Sequence, residues 1–107
     1  MHHLNEKLSI ILNYKFQNNS ILEEALTHPS VNKKNSKNQI ISYERLEFLG
    51  DSILNMVISN MLFQLFPDER EGALAKRKTD LVCGSTIANV ATEIKLSDFI
   101  IMNNSER

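Results

Sequence analysis

Apolar residues recur at helical spacing along most of the chain, and the pattern predicts an all-α domain. Leu4, Leu8, Ile11 and Leu12 mark a first helix, and Phe16 to Asn19 a connector. Ser20-x-x-Glu23 has the form of a capping box opening a second helix, from Ile21 to about Thr27. Pro29 ends it. The Lys- and Asn-rich stretch from Asn32 to Asn38 reads as an exposed loop. A long helix follows, from about Ser42 to Phe66, closed by Pro67 and a charged turn from Asp68 to Gly72. Ala73 to Cys83 forms a fourth helix with Leu74, Leu81 and Val82 inward and Gly84 as its stop. Ser85 is placed to cap a fifth, with Ile87, Val90, Ala91 and Ile94 on one face, and Ser97 to Ile101 starts a further short turn. There is no internal repeat and no alternation of the strand type.

The long helix is unusual. Ile53, Leu54, Met56, Val57, Ile58, Met61, Leu62, Phe63, Leu65 and Phe66 leave little polar surface on any side. A helix apolar nearly all round is expected to be central and buried. Its N-terminal half carries Glu44, Glu47 and Asp51 at i, i+3 and i+7, on one face with Leu54, Ile58 and Leu62. The carboxylates are thus expected at one end of a buried rod, in a partly desolvated cleft. Like charges at this spacing repel, and Arg45 points to another face. A divalent cation would relieve the repulsion, and oxygen donors without His or Cys favour Mg²⁺ or Mn²⁺ over zinc. The alternative is that the acids favour the positive helix N-terminus; this suits Glu44 but not Asp51, about two turns inside.

Gly50 costs about 1 kcal/mol inside a helix relative to Ala, so a close approach is expected there. A crossing helix of the same chain and a partner chain fit equally well. Phe48 reads as either a core residue or an apolar knob for a partner, with core favoured.

Composition narrows the function. The 107 residues suffice for one small domain, and 42% hydrophobic with 23% charged residues is ordinary for a globular protein. A net charge of -1 gives no bulk attraction to nucleic acid, so any RNA contact needs local patches. Lys76, Arg77 and Lys78 in the fourth helix, and Lys33, Lys34 and Lys37 in the loop, are the candidates; from the residues alone a solvated helix face is the favoured account of the first set. Cys83 is a lone cysteine expected in the core, and no Cys/His set has zinc spacing. His28, before Pro29, reads as a helix-end packing residue. Met1 to Ser9 is polar, unlike a signal peptide, and the run Ile53 to Phe66 is judged too short and too polar to span a bilayer. These features lead to the expectation of a cytoplasmic protein without a membrane.

Glu44-Arg45-Leu46-Glu47-Phe48-Leu49-Gly50-Asp51-Ser52 resembles the signature motif of the ribonuclease III family. Flanking segments are similar too: Ala25-Leu26-Thr27-His28-Pro29-Ser30, Phe66-Pro67, Glu71-Gly72 and Leu81-Val82-x-Gly84-x-Thr86-Ile87-Ala88. The resemblance runs from about Leu8 to the end. It implies an all-α endonuclease domain that dimerises through the signature helix and cuts double-stranded RNA with Mg²⁺, leaving 5′-phosphate and 3′-hydroxyl ends with a short stagger. By position it makes Glu47 and Asp51 metal ligands and Asp51 a catalytic carboxylate. Glu44 and Glu71 line the catalytic valley, Glu71 from across the dimer. Phe48 becomes the knob entering a socket of the partner, and Gly50 the point where two signature helices meet. Processing of ribosomal precursor RNA is what the family suggests.

The family's second acidic cluster, in a helix resembling Leu-Ala-Asp-x-x-Glu-Ala-Leu-Ile-Gly, has no counterpart in residues 1–107, nor has its double-stranded-RNA-binding domain. The expectation is therefore an incomplete ribonuclease III catalytic domain over residues 1–107, truncated at the C-terminus. The competing expectation is a non-catalytic module of the same ancestry that dimerises or binds RNA. A di-iron carboxylate bundle is discounted, because its Glu-x-x-His pairs are absent.

Overall fold

The computed structural model describes residues 2–103. The order is α1 (His2–Leu12), α2 (Asn19–Leu26), a 3-10 turn (Pro29–Val31), β1 (Lys33–Lys34), β2 (Ile40–Ile41), α3 (Glu44–Leu65), α4 (Glu71–Val82), α5 (Gly84–Glu93) and a second 3-10 turn (Leu96–Phe99). The all-α expectation holds. The exposed loop is more ordered than its composition suggested: Lys33 pairs with Ile41 and Lys34 with Ile40 in an antiparallel ribbon. Two residues per strand are too few to show as an alternation. Asn35 closes the ribbon, its side-chain oxygen accepting from the Lys37 and Gln39 amides at 2.9 and 3.0 Å, with Asn38 at φ 61°.

Two caps differ from expectation. The extended Asn18, not Ser20, caps α2: its side chain accepts from the Ile21 amide at 3.2 Å, two residues before the presumed box. Gly84 does not end a helix but opens α5, with Cys83 at the cap position, so Ser85 lies inside the first turn.

The core gathers Leu8 of α1, Leu22 and Leu26 of α2 and Phe99 of the second 3-10 turn, with Phe16, Leu96 and Ile100 packed around it. Thr27 is 1% exposed, and its hydroxyl donates to the Glu23 carbonyl at 2.5 Å. Around it the backbone is knotted. The Tyr43 amide donates to the Thr27 carbonyl at 2.9 Å, the Ile101 amide to Leu26 at 2.8 Å, and the His28 amide to Ile101 at 2.7 Å. The end of α2 is thereby tied both to the start of α3 and to the segment after residue 99. His28 packs edge-on against Tyr43 at 5.8 Å, and its Nδ1 accepts from the Ser30 amide at 3.0 Å. It is a packing and capping residue at the helix end.

The expected burial of α3 is overturned. Leu62, at 4% exposure, is its one buried residue, while Phe48 is 82% and Phe63 71% exposed. Within the chain α3 packs chiefly on α4 and α2. Leu54 and Ile58 are half-covered on that side, and Leu49, Ile53, Met56, Val57 and Phe63 stand in solvent. The chain is accordingly extended, with a radius of gyration of 16.5 Å, against about 13 Å for a compact domain of this length. Taken whole, the helix is longer than the run Ile53 to Phe66. By length and composition it is apolar enough to cross a membrane, with mean hydropathy 1.2. The core helix of a helical protein meets the same criterion.

Candidate functional site

The acidic residues enter on the first two turns of α3. Tyr43 sits at the cap position without a side-chain cap bond. The buried Ser42 substitutes one residue earlier: its hydroxyl oxygen accepts from the Glu44 amide and donates to Glu44 Oε1, both at 3.4 Å. Glu44 and Glu47 lie in the first turn, where the helix field favours negative charge. Asp51 follows one turn on. All three are exposed rather than desolvated. Along a straight helix Glu44 and Asp51 are about 10 Å apart, and among the described residues no group of three or more His, Cys, Asp or Glu is close enough to hold a metal ion. Glu47 and Asp51, neighbours at i and i+4, remain a two-carboxylate half-site.

Grooves flank this end. Glu44, Arg45, Leu46, Phe48 and Leu49 share one of about 600 Å³ with Glu24 of α2. Glu24 was not singled out in the sequence, because it shares no helix face with the motif. Glu47 lines a second, of about 350 Å³, with Ala25, Tyr43, Leu46, Leu96 and Ile100. Glu71, in the first turn of α4, lies elsewhere. It lines a groove of about 510 Å³ with Ser59, Leu62, Phe63, Glu69, Leu74, Ala75 and Lys78. Ser59 is about 12 Å further along α3 than Asp51. Glu71 thus does not join the half-site within one chain.

The core reading of Phe48 is wrong, since most of its side chain is in solvent. Among the described residues nothing crosses at Gly50, where an added Cβ would meet no atom within 4 Å. A crossing within the chain is not found among them. Arg77 is not a free cation for phosphate. Its Nε and Nη2 donate to both Glu69 carboxylate oxygens at 2.7 and 2.8 Å, and its guanidinium lies 3.8 Å from the Phe66 ring centroid. The hydrogen-bonded pair holds the Glu69 carboxyl below, and the Arg77 guanidinium above, its ordinary range. Lys76 is exposed and Lys78 half-buried beside Glu71. Lys33 is paired with Glu23 at 2.5 Å. Cys83 is half-buried rather than core. Hydrogen bonds with Ser85 and Thr86, at 3.3 and 3.2 Å, bring its thiol down to about 7.

Comparison with known proteins gives a consistent picture. The family described as Ribonuclease-III-like matches residues 18–107. The chain is 78% identical over 107 residues to a protein named Ribonuclease 3 from Wolbachia pipientis wMel, covering all of this chain and 46% of that protein. It is 55% identical over 100 residues to Ribonuclease 3 of Ehrlichia ruminantium (strain Welgevonden), covering 94% of this chain and 43% of that protein. The chain thus spans slightly under half the length of these curated relatives. Among solved structures, a Campylobacter jejuni ribonuclease III nuclease domain superposes with a TM-score of 0.80 at 39% identity, over 94% of this chain and 66% of that one. That structure was described for flexibility in the region involved in dimer formation.

Proposed function

The chain belongs to the ribonuclease-III-like family, and on that footing we propose that it is the nuclease-domain part of a metal-dependent endoribonuclease of double-stranded RNA. One observation carries the reading: α3 presents Glu47 and Asp51 together, exposed, on the helix that also carries Glu44. Two carboxylates a turn apart fit Mg²⁺ or Mn²⁺, which bind through one or two carboxylates and keep several waters. When bound, such an ion supplies a polarised water and offsets the charge growing on phosphate oxygens. Glu47 and Asp51 are the residues that would hold the ion, and Asp51 would also accept a hydrogen bond from the attacking water. Glu44 and Glu71 line the path of the RNA, Glu71 from a second copy. The water oxygen bonds to phosphorus, the P–O3′ bond breaks, and the 3′ oxygen takes a proton, giving 5′-phosphate and 3′-hydroxyl ends.

A homodimer belongs to this reading, with Phe48 and Gly50 at the contact. It is supported by the exposure of Phe48, by the open space at Gly50, and by the dimer-forming region described for the Campylobacter jejuni nuclease domain. Processing of ribosomal precursor RNA in the cytoplasm is the setting we propose. One observation favours a second reading, a non-catalytic module that dimerises or binds RNA: no three-ligand metal group exists among the described residues.

Cleavage of an end-labelled RNA duplex with Mg²⁺ tests the two. The controls are chelator and Asp51→Asn, at low and moderate salt. Cutting that needs both the metal and Asp51 supports the nuclease. A folded chain that binds the duplex and leaves it whole supports the module.

A further inference from the structure

The turn between α3 and α4 is short, and the helix it launches carries Glu71 in its first turn. That helix starts without a local lock, because Arg70 at the cap position makes no side-chain cap bond. Three backbone bonds of ordinary length run through the turn: Phe66 N–H to Leu62, Glu69 N–H to Phe66 and Leu74 N–H to Arg70, at 3.0 to 3.1 Å. Beside the packing of α3 on α4, one side chain spans the turn with polar contacts. Arg77, on the second turn of α4, forks both oxygens of Glu69 in the turn and lies over the ring of Phe66, the residue that closes α3. A planar guanidinium fixed at its edge by two charge-assisted hydrogen bonds and at its face by a ring has little freedom left. It therefore fixes Glu69, two residues before Glu71 and on the same groove. The pairing engages Glu69, so that Glu71 and Lys78 are the other charged residues of that groove.

We propose that Arg77 is a positioning residue that sets the place of Glu71 through its fork with Glu69, and not a contact for RNA phosphate. The role assigned to Glu71 rests on the nuclease reading above; the positioning itself does not. The pair is at the surface, so its effect on overall stability is small. Its effect is on the angle at which α4 leaves α3.

The test uses the full chain carrying Arg77→Gln, Glu69→Gln, both together, or Arg77→Lys. Nitroxides at Asn60→Cys and Ala73→Cys, in a Cys83→Ser background, report the distance between α3 and the start of α4 by pulsed electron resonance. A narrow distribution in the parent should broaden equally in both single Gln variants, with the double no broader than either, because one interaction is lost in each case. Arg77→Lys, which keeps the charge but not the fork, should broaden it too. Duplex binding is then measured against salt. A phosphate contact would lower the slope by about one for Arg77→Gln and would make Glu69→Gln bind more tightly. Positioning leaves the slope of both variants unchanged. With a cutting chain, both variants should lose kcat by about tenfold or more with KM held, the size that a small misplacement produces. An unchanged distance distribution, or a slope reduced in Arg77→Gln alone, overturns the proposal. If the folded chain binds the duplex and leaves it whole, the module reading is supported over the nuclease, while the distances still decide the role of Arg77.

Discussion

The bare side of α3 makes a demand on its surroundings that can be measured. Met56 is 65% exposed, between the exposed Ile53 (49%) and Phe63 (71%) on the outward side of the helix. Full burial of such a side chain contributes about 1.5–3 kcal/mol. The exposed share leaves about 1–2 kcal/mol per copy to be gained in a contact. In a two-fold contact each copy contributes it once. Met56→Lys should therefore weaken self-association by about 2–4 kcal/mol, a factor of roughly 30 to 1,000 in Kd, and more if the ammonium is trapped unpaired. Within one chain the side chain has almost nothing to lose, so monomer stability should shift by less than about 0.5 kcal/mol. Sedimentation velocity across a dilution series reads the first quantity, and urea unfolding at the lowest concentration reads the second. Two results would refute the reasoning. One is a parent chain that sediments as a monomer up to its solubility limit and unfolds in one cooperative step. The other is a Met56→Lys chain that associates as tightly as its parent.

Leu62→Ala removes the one buried side chain of α3 and should cost about 2–5 kcal/mol; in a chain this small, loss of the urea transition altogether is the extreme of that range. Gly50→Ala should stabilise the isolated chain by up to about 1 kcal/mol, since an added Cβ meets nothing within 4 Å, yet weaken any dimer that closes there; opposite signs in denaturation and sedimentation are the signature. Cys83 should react with iodoacetamide with a midpoint near pH 7, against the 9.0 of a free thiol, and Ser85→Ala should move that midpoint upward. Its folded pKa is depressed, so the matching stabilisation is complete above the unfolded value near 9 and is lost as pH falls through about 7; a urea midpoint that falls between pH 7 and 9 contradicts this.

The helices were legible in sequence wherever the signal was local. The stripe Leu54, Ile58 and Leu62 and the apolar run from Ile53 to Phe66 announce α3, and Pro67 closes it. Boundaries failed where one hydrogen bond decides them. Asn18 outcompetes Ser20 for the cap because the extended Asn side chain reaches the Ile21 amide, and composition ranks the two residues alike. The ribbon at Lys33 and Ile41 was hidden because two-residue strands have no period.

The candidate site divides in the same way. Glu44, Glu47 and Asp51 share a face because 3.6 residues make a turn, and no tertiary fact is needed to say so. Whether that face is buried is another matter. Apolar residues on every side of a helix state how much surface wants covering, but not whether the same chain supplies the cover; here α2 and α4 shield one side and leave Phe48 and Phe63 bare. Glu71 is expected from the resemblance to contribute across the dimer, and within one chain it lies on another groove, further along α3. Arg77 reads as one cation of three, and only the return of α4 toward Phe66 and Glu69 turns it from a charge for RNA into a brace. The sequence by itself determined the helices, their acidic stripe and the family. The tertiary structure decided which side chains meet, because contact depends on the angle and reach between helices, and residue spacing along a single helix does not encode either.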